Sequence, residues 1–178
     1  MNDRRTRFEY VFGEVYAPLQ RYALRRTDAA TADDVVADAL LVLWRRLDDV
    51  PAGAELPWCY GVARRCLANR RRGAERQANV VDRLMAERSA PAPEPDVELD
   101  MALATLDADD RELVRLWAWE GLQPREIAVV LGISANAASI RVHRAKSRLA
   151  AALPRKNRDG AGHEVVGNAH AERQKEAT

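Results

Sequence analysis

Apolar residues recur at Val36, Leu40, Leu43 and Leu47, in steps of four, three and four, which is one stripe of an α-helix. Thr31-Ala-Asp-Asp34 precedes the stripe and resembles a capping box with Asp in place of Glu, so the pattern predicts a helix from Thr31 to Leu47. Asp34, Asp38, Leu41 and Arg45 repeat the spacing on a neighbouring stripe that mixes charge with one leucine; it suits a protein partner or an ordinary solvated face. Residues 48–57, DDVPAGAELP, read as a loop by their Pro, Gly and Asp content. A second helix, WCYGVARRCLANRRRGAER, opens at Trp58, which is read as a core anchor. Cys59, Val62, Ala63, Cys66 and Leu67 cluster on one side of it, and Arg64, Arg65, Asn69 and Arg72 fall elsewhere. A helix that is dry on one side and Arg-rich on the other, following a loop, suits nucleic acid.

The pattern resumes in ALATLDADDRELVRLWAWEGL, two helical segments separated at Asp107. Asp107 is placed to cap the second, Leu113, Leu116 and Trp117 form its apolar face, and Gly121 ends it. Pro124 then stands where a first helical residue loses nothing by lacking an N–H. Ile127, Ala128 and Leu131 make a short apolar face, Gly132 permits a left-handed turn, Ile133 plugs the angle and Ser134 caps a further helix. This is a helix-turn-helix pattern.

On a wheel of SANAASIRVHRAKSRL, residues 134–149, Ala138, Val142, Ala145 and Leu149 share a narrow dry arc. The opposite arc holds Asn136, Ala137, Ile140, His143 and Arg144, with Arg141 and Arg148 flanking it on one side and Ser139 and Lys146 on the other. Arg144 suits guanine and Asn136 adenine, while Arg141, Lys146 and Arg148 are placed for phosphates. Ile140 either meets a thymine methyl or is a stray exposed apolar residue.

Composition sharpens this picture. The chain has 178 residues and a formal net charge of only +1, but the charge is uneven. Residues 64–76 hold Arg64, Arg65, Arg70, Arg71, Arg72 and Arg76 against Glu75, and residues 141–158 hold seven Arg or Lys and no acid. Between them, 94–112 carries eight acids against Arg111. Two basic patches flanking an acidic stretch point to two contacts with a polyanion. Residues 77–98 contain APAPEPD, which cannot be a regular helix and reads as an extended linker. The division expected is therefore 1–76, an N-terminal domain; 77–98, a flexible linker; 99–153, a C-terminal domain with the helix-turn-helix; and 154–178, a disordered tail. The fold class is all-α.

Cys59 and Cys66, seven apart, would stand roughly 10 Å apart along a helix, too far for a disulfide, and are read as small buried hydrophobes. No His lies near them, and His143, His163 and His170 are scattered, so no metal, cofactor or catalytic residue is expected. No signal peptide or membrane-length apolar run stands in the chain, which is expected to work in the cytoplasm.

GLQPREIAVVLGISANAASIRVHRAKSRL resembles the C-terminal DNA-binding domain of bacterial ECF-type (extracytoplasmic function) sigma factors. DDVVADALLVLWRRL and WCYGVARRCLANRRR resemble their N-terminal domain, so the likeness covers residues 8–152. It implies a non-enzymatic protein that binds core RNA polymerase, directs it to particular promoters and helps melt promoter DNA. Asp34, Asp38, Leu41 and Arg45 would face the polymerase clamp helices. Arg64, Arg65, Asn69 and Arg72 would capture the −10 element. Residues 135–149 would read the −35 element, chiefly through Ser139, Arg141, His143 and Arg144, with Asn136, Ile140, Lys146 and Arg148 beside them. An anti-sigma factor is the implied regulatory partner, and no small-molecule substrate is implied. Ala37 in the clamp-binding helix, Arg65, Gln123 and Ala137 depart from residues common in the family, and the departures at Arg65 and Ala137 bear on promoter preference. A stand-alone helix-turn-helix repressor or activator is the alternative, and it would bind a palindrome as a dimer.

Overall fold

A computed structural model describes residues 2–81 and 97–153, with side chains from 3–74 and 101–153. The described residues form seven α-helices and one short 3-10 helix, without a strand. The helices are α1 (Asn2–Leu24), α2 (Ala29–Arg45), α3 (Glu55–Val81), α4 (Val97–Ala104), α5 (Ala108–Ala118), α6 (Pro124–Leu131) and α7 (Ala135–Ala152). Pro91, Pro93 and Pro95 of the expected linker and the expected tail after residue 153 lie outside the described residues.

Local boundaries differ from the sequence reading in several places. The helix expected from Thr31 begins at Ala29, because Asp28 is the cap: its carboxylate accepts the Thr31 N–H at 3.0 Å. That bond holds the Asp28 carboxyl below the usual carboxylate range. Leu47 falls beyond the helix, in the 3-10 turn Leu47–Asp49, although it stays fully buried. The third helix starts at Glu55, not Trp58, with Trp58 N–H bonded to the Ala54 carbonyl at 2.9 Å and Glu55 accepting from the Gly53 N–H at 3.1 Å. Pro57 fits in that first turn, where an N–H is not needed. Helix α3 runs on to Val81 and α4 starts at Val97, both inside the span read as linker. Helix α1, with Pro18 inside it, was not delimited from the sequence at all.

Helices α1, α2 and α3 pack together through Val11, Val15, Leu19 and Tyr22, through Val35, Val36, Ala39 and Leu43, and through Cys59, Val62, Ala63 and Leu67. The stripe Val36, Leu43, Leu47 is core as expected, and Leu40 is half-buried against it. The same core continues without a break into the second half of the chain through Leu113, Leu116, Leu122, Ile127, Ala128 and Val130. A smaller cluster of Leu103, Leu106, Val114 and Ala145 closes the far end.

The joint between the halves is close. A β-carbon added at Gly61 of α3 would lie 3.1 Å from the Val130 carbonyl oxygen of α6, so glycine is what lets these backbones meet. Beside it, Arg26 donates to Glu112 of α5 at 3.1 Å and to Glu120 at 3.0 Å, and Tyr22 Oη donates to Glu112 at 3.1 Å. The side chains of Arg26 and Glu120 are each only 3% exposed, so this is a buried ionic joint. Burial alone would lower the Arg26 pKa, but Tyr22, Glu112 and the bonds to both carboxylates hold it above its ordinary value.

Candidate nucleic-acid interface

Helix α6 begins with Pro124 at its first turn and carries a reciprocal box in which the Gln123 N–H donates to Glu126 Oε2 at 2.7 Å. Gly132 ends it at φ 68°, a left-handed conformation that a side chain would strain. The Gly132 and Ile133 N–H groups both donate to the Ala128 carbonyl. Ser134 then caps α7, its hydroxyl accepting the Ala137 N–H at 3.1 Å. Every punctuation residue of the expected helix-turn-helix therefore acts in its expected place.

The dry arc of α7 is buried at Ala138, Val142 and Ala145 and half-buried at Leu149. Asn136, Ser139, Ile140, His143 and Arg144 stand on the solvent side, Ile140 at 44% exposure. The flanking cations have partners that the wheel did not show. Arg141 and Arg148 both reach back to Asp110 of α5, at 3.0 and 3.1 Å. Asp110 is a buried carboxylate in the first turn of that helix, its own N–H capped by Asp107 at 2.7 Å. Lys146 sits 3.9 Å over the ring of Trp117. Trp117, expected in the apolar face of α5, is instead 37% exposed, because it turns toward α7 while Leu113, Val114 and Leu116 fill the core.

On α3, Arg64, Arg65, Asn69 and Arg72 lie along one surface, with Arg65, Asn69 and Arg72 exposed and Arg64 half-buried. Asn69 accepts from Arg72 at 2.6 Å, and Arg64 reaches Asp109 of α5 at 3.3 Å. On α2, Leu41 is 46% exposed and Trp44 is exposed one turn away, with Arg45 beside them. Asp34 and Asp38 are also exposed, but both pair with Arg70 of α3, at 2.9 and 2.7 Å. The expected stripe thus divides into an acidic end bonded within the molecule and an apolar end open to solvent.

Comparison with known proteins is consistent with this geometry. The family described as Sigma-70, region 4 matches residues 96–149, the stretch from α4 through α7. The ECF RNA polymerase sigma factor SigL of Mycobacterium tuberculosis is 35% identical over 147 residues, spanning 75% of this chain and 81% of SigL. The chain belongs to the ECF RNA polymerase sigma factors. Among solved structures, this sigma factor resembles RpoE in complex with the anti-sigma factor NepR from Bartonella quintana, with a TM-score of 0.64 and 25% identity over 84% of this chain and 98% of that one. It also resembles CnrH in complex with the cytosolic domain of CnrY, with a TM-score of 0.52 and 25% identity over 81% and 85% of the two chains. No helix among the described residues of the sigma factor is long and apolar enough to cross a membrane. Cys59 is buried and its thiol is pushed up to about 12 by that burial, with Glu55 adding to it; burial also raises Cys66. Neither is poised as a reactive thiolate. The sequence reading missed Asp110, Arg26, Glu112 and Glu120; Asp110 and Glu112 showed only as members of the acidic run 94–112, and Arg26 and Glu120 carried no signal.

Proposed function

We propose that this sigma factor works in the cytoplasm as a non-enzymatic promoter-specificity subunit of core RNA polymerase, with the DNA contacts divided between α7 and α3. The observation that carries the reading is the pair of capped helices α6 and α7, which fixes a dry arc inward and leaves Asn136, Ser139, Ile140, His143 and Arg144 open for base edges of the −35 element. Arg141, Lys146 and Arg148 then serve phosphates, once released from Asp110 and Trp117. Arg64, Arg65, Asn69 and Arg72 of α3 take the −10 strand. The open end of the α2 stripe, Leu41 and Arg45, docks on polymerase, and Asp34 and Asp38 join it if Arg70 lets go.

Elements named −10 and −35 are about 25 base pairs, or roughly 85 Å, apart at 3.4 Å per pair. With α3 packed directly on α6, one chain cannot reach both, so the compact form opens at the joint when polymerase and promoter bind. Since RpoE is held in its complex by an anti-sigma factor, a protein of that class is the regulator proposed for this chain. In vitro transcription with core polymerase on genomic DNA, with start sites mapped, tests the reading. Discrete starts that require this chain and share two upstream elements support it; core-dependent transcription unchanged by the chain overturns it.

A further inference from the structure

Between α3 and α5 lies a cavity of about 640 Å³, within the range of small-ligand sites. Seven arginines line it against two acids, Asp109 and Glu112. Both acids are already engaged, Asp109 by Arg64 and Glu112 by Arg26. Of the other lining arginines, Arg65 and Arg71 of α3 and Arg111 and Arg115 of α5 leave the cavity strongly positive. Arg111 donates to the Leu103 and Leu106 carbonyls, and Arg71 to the Arg26 carbonyl, contacts that orient the guanidinium groups without neutralising them. Arg115 is the most telling. Its Nε is buried with no hydrogen-bond partner among the described residues. Burial lowers its pKa, and the nearby charges of Arg26, Arg111 and Arg71 add to that against Glu112. Like charges gathered from two halves of a chain around one concave space ask for a compact, multiply charged anion, and guanidinium groups match phosphate oxygens in fork geometry.

We propose that this cavity binds a chain of linked phosphates, free or carried by a nucleoside, and that the bound anion holds the two halves of the sigma factor closed. The site is built by α3 and α5 together, so it exists only while the halves are packed, and a ligand of the closed form opposes opening by mass action. Arg65 and Arg72 also belong to the surface proposed for the −10 strand, so the antagonism with promoter binding rests on that reading, while the binding itself does not.

The test is calorimetric titration of the full chain with tripolyphosphate and, separately, with ATP, at 150 mM KCl, with sulfate as the ionic-strength control. Saturable one-to-one binding by tripolyphosphate is expected, weakened at least tenfold in Arg115→Gln, in Arg71→Gln and in Arg26→Met, whose joint is broken; Arg5→Gln, on the exposed start of α1, should bind as the unaltered chain does. Circular dichroism of each variant separates misfolding from loss of the site, and two independent cavity arginines keep the result readable if one variant fails to fold. ATP binding at least as tightly as tripolyphosphate assigns the phosphates to a nucleotide; tripolyphosphate binding alone assigns them to the free anion. No saturable binding, equal binding by the cavity variants, or a short oligothymidine binding as tightly as tripolyphosphate would overturn the proposal, the last by showing a nucleic-acid track. Intact anion binding by a chain that directs no transcription would uphold the site and sink only the promoter reading.

Discussion

Replacing Arg26 by Met removes one guanidinium from between two carboxylates that belong to the other half of the chain. The contacts are 3.1 Å to Glu112 and 3.0 Å to Glu120. At an effective dielectric constant of about 20, unit charges 3 Å apart attract by roughly 5 kcal/mol, and desolvation takes back several kcal/mol per buried ion. One-sided removal is harsher than that balance suggests. Among the described residues Glu120 then keeps Arg25, at 2.7 Å, and Glu112 keeps the Tyr22 hydroxyl, so two poorly solvated carboxylates lose their shared cation. The expected cost is about 3–5 kcal/mol. Both lost ion pairs cross the joint, while the guanidinium contacts to the Tyr22 carbonyl and ring lie within the first half; about 3 kcal/mol falling on the joint shifts the closed form toward an open one by a factor of about 10², at 1.4 kcal/mol per factor of ten. Small-angle scattering should show a larger radius of gyration, while far-ultraviolet circular dichroism keeps its helical signal. Gly61→Ala should act in the same direction and more weakly, since the new methyl would meet the Val130 carbonyl oxygen at 3.1 Å, a backbone atom that yields only if α6 shifts by a few tenths of an ångström. Unchanged compactness in both variants, together with an unchanged urea midpoint, would refute the reasoning that this joint holds the halves together.

Arg144→Ala should relax preference at one base position by about 1–3 kcal/mol, read by binding-site selection with the polymerase holoenzyme; a contact to phosphate alone would instead weaken all sites evenly. Leu41→Arg should abolish capture of core polymerase in a pull-down with no change in thermal midpoint, because Leu41 lies off the core. At pH 8 a thiol reagent should modify Cys66 in the native chain and Cys59 only after unfolding, given its burial and a pKa near 12. The neutral thiol is the form the fold favours, so the Cys59 contribution holds below the unfolded value of about 8.5 and is lost as pH rises from there toward 12; urea midpoints across that range check the sign.

Residues whose role is local were legible from the chain alone. Pro124, Gly132 and Ser134 act through backbone constraints and caps that involve neighbours no more than four positions away, and their order is sufficient to specify a helix-turn-helix. The dry arc of α7 was legible because one face of a helix repeats at 3.6 residues wherever it is buried. The cap of α2 was misplaced by three residues for a related reason: Asp28 and Thr31 are both good capping side chains, and only the backbone geometry distinguishes the donor from the acceptor.

What tertiary structure decided is which charges meet. From the wheel, Arg141, Lys146 and Arg148 look like three equivalent cations flanking the wet arc on its two sides; in the fold, two close on Asp110 and one lies on Trp117. Asp34 and Asp38 look like a surface for a partner, and Arg70 covers them from α3. Arg26 meets Glu112 and Glu120 across sequence separations of 86 and 94 residues, and nothing periodic links them. Local backbone preferences and amphipathic period are written along the chain, so the sequence determined the core stripe of α2, the helix-turn-helix of α6 and α7 and the dry face of α7. Ion pairs depend on which helices pack side by side, so only the tertiary structure decided that the two basic surfaces belong to one closed body with an arginine-lined cavity at its joint.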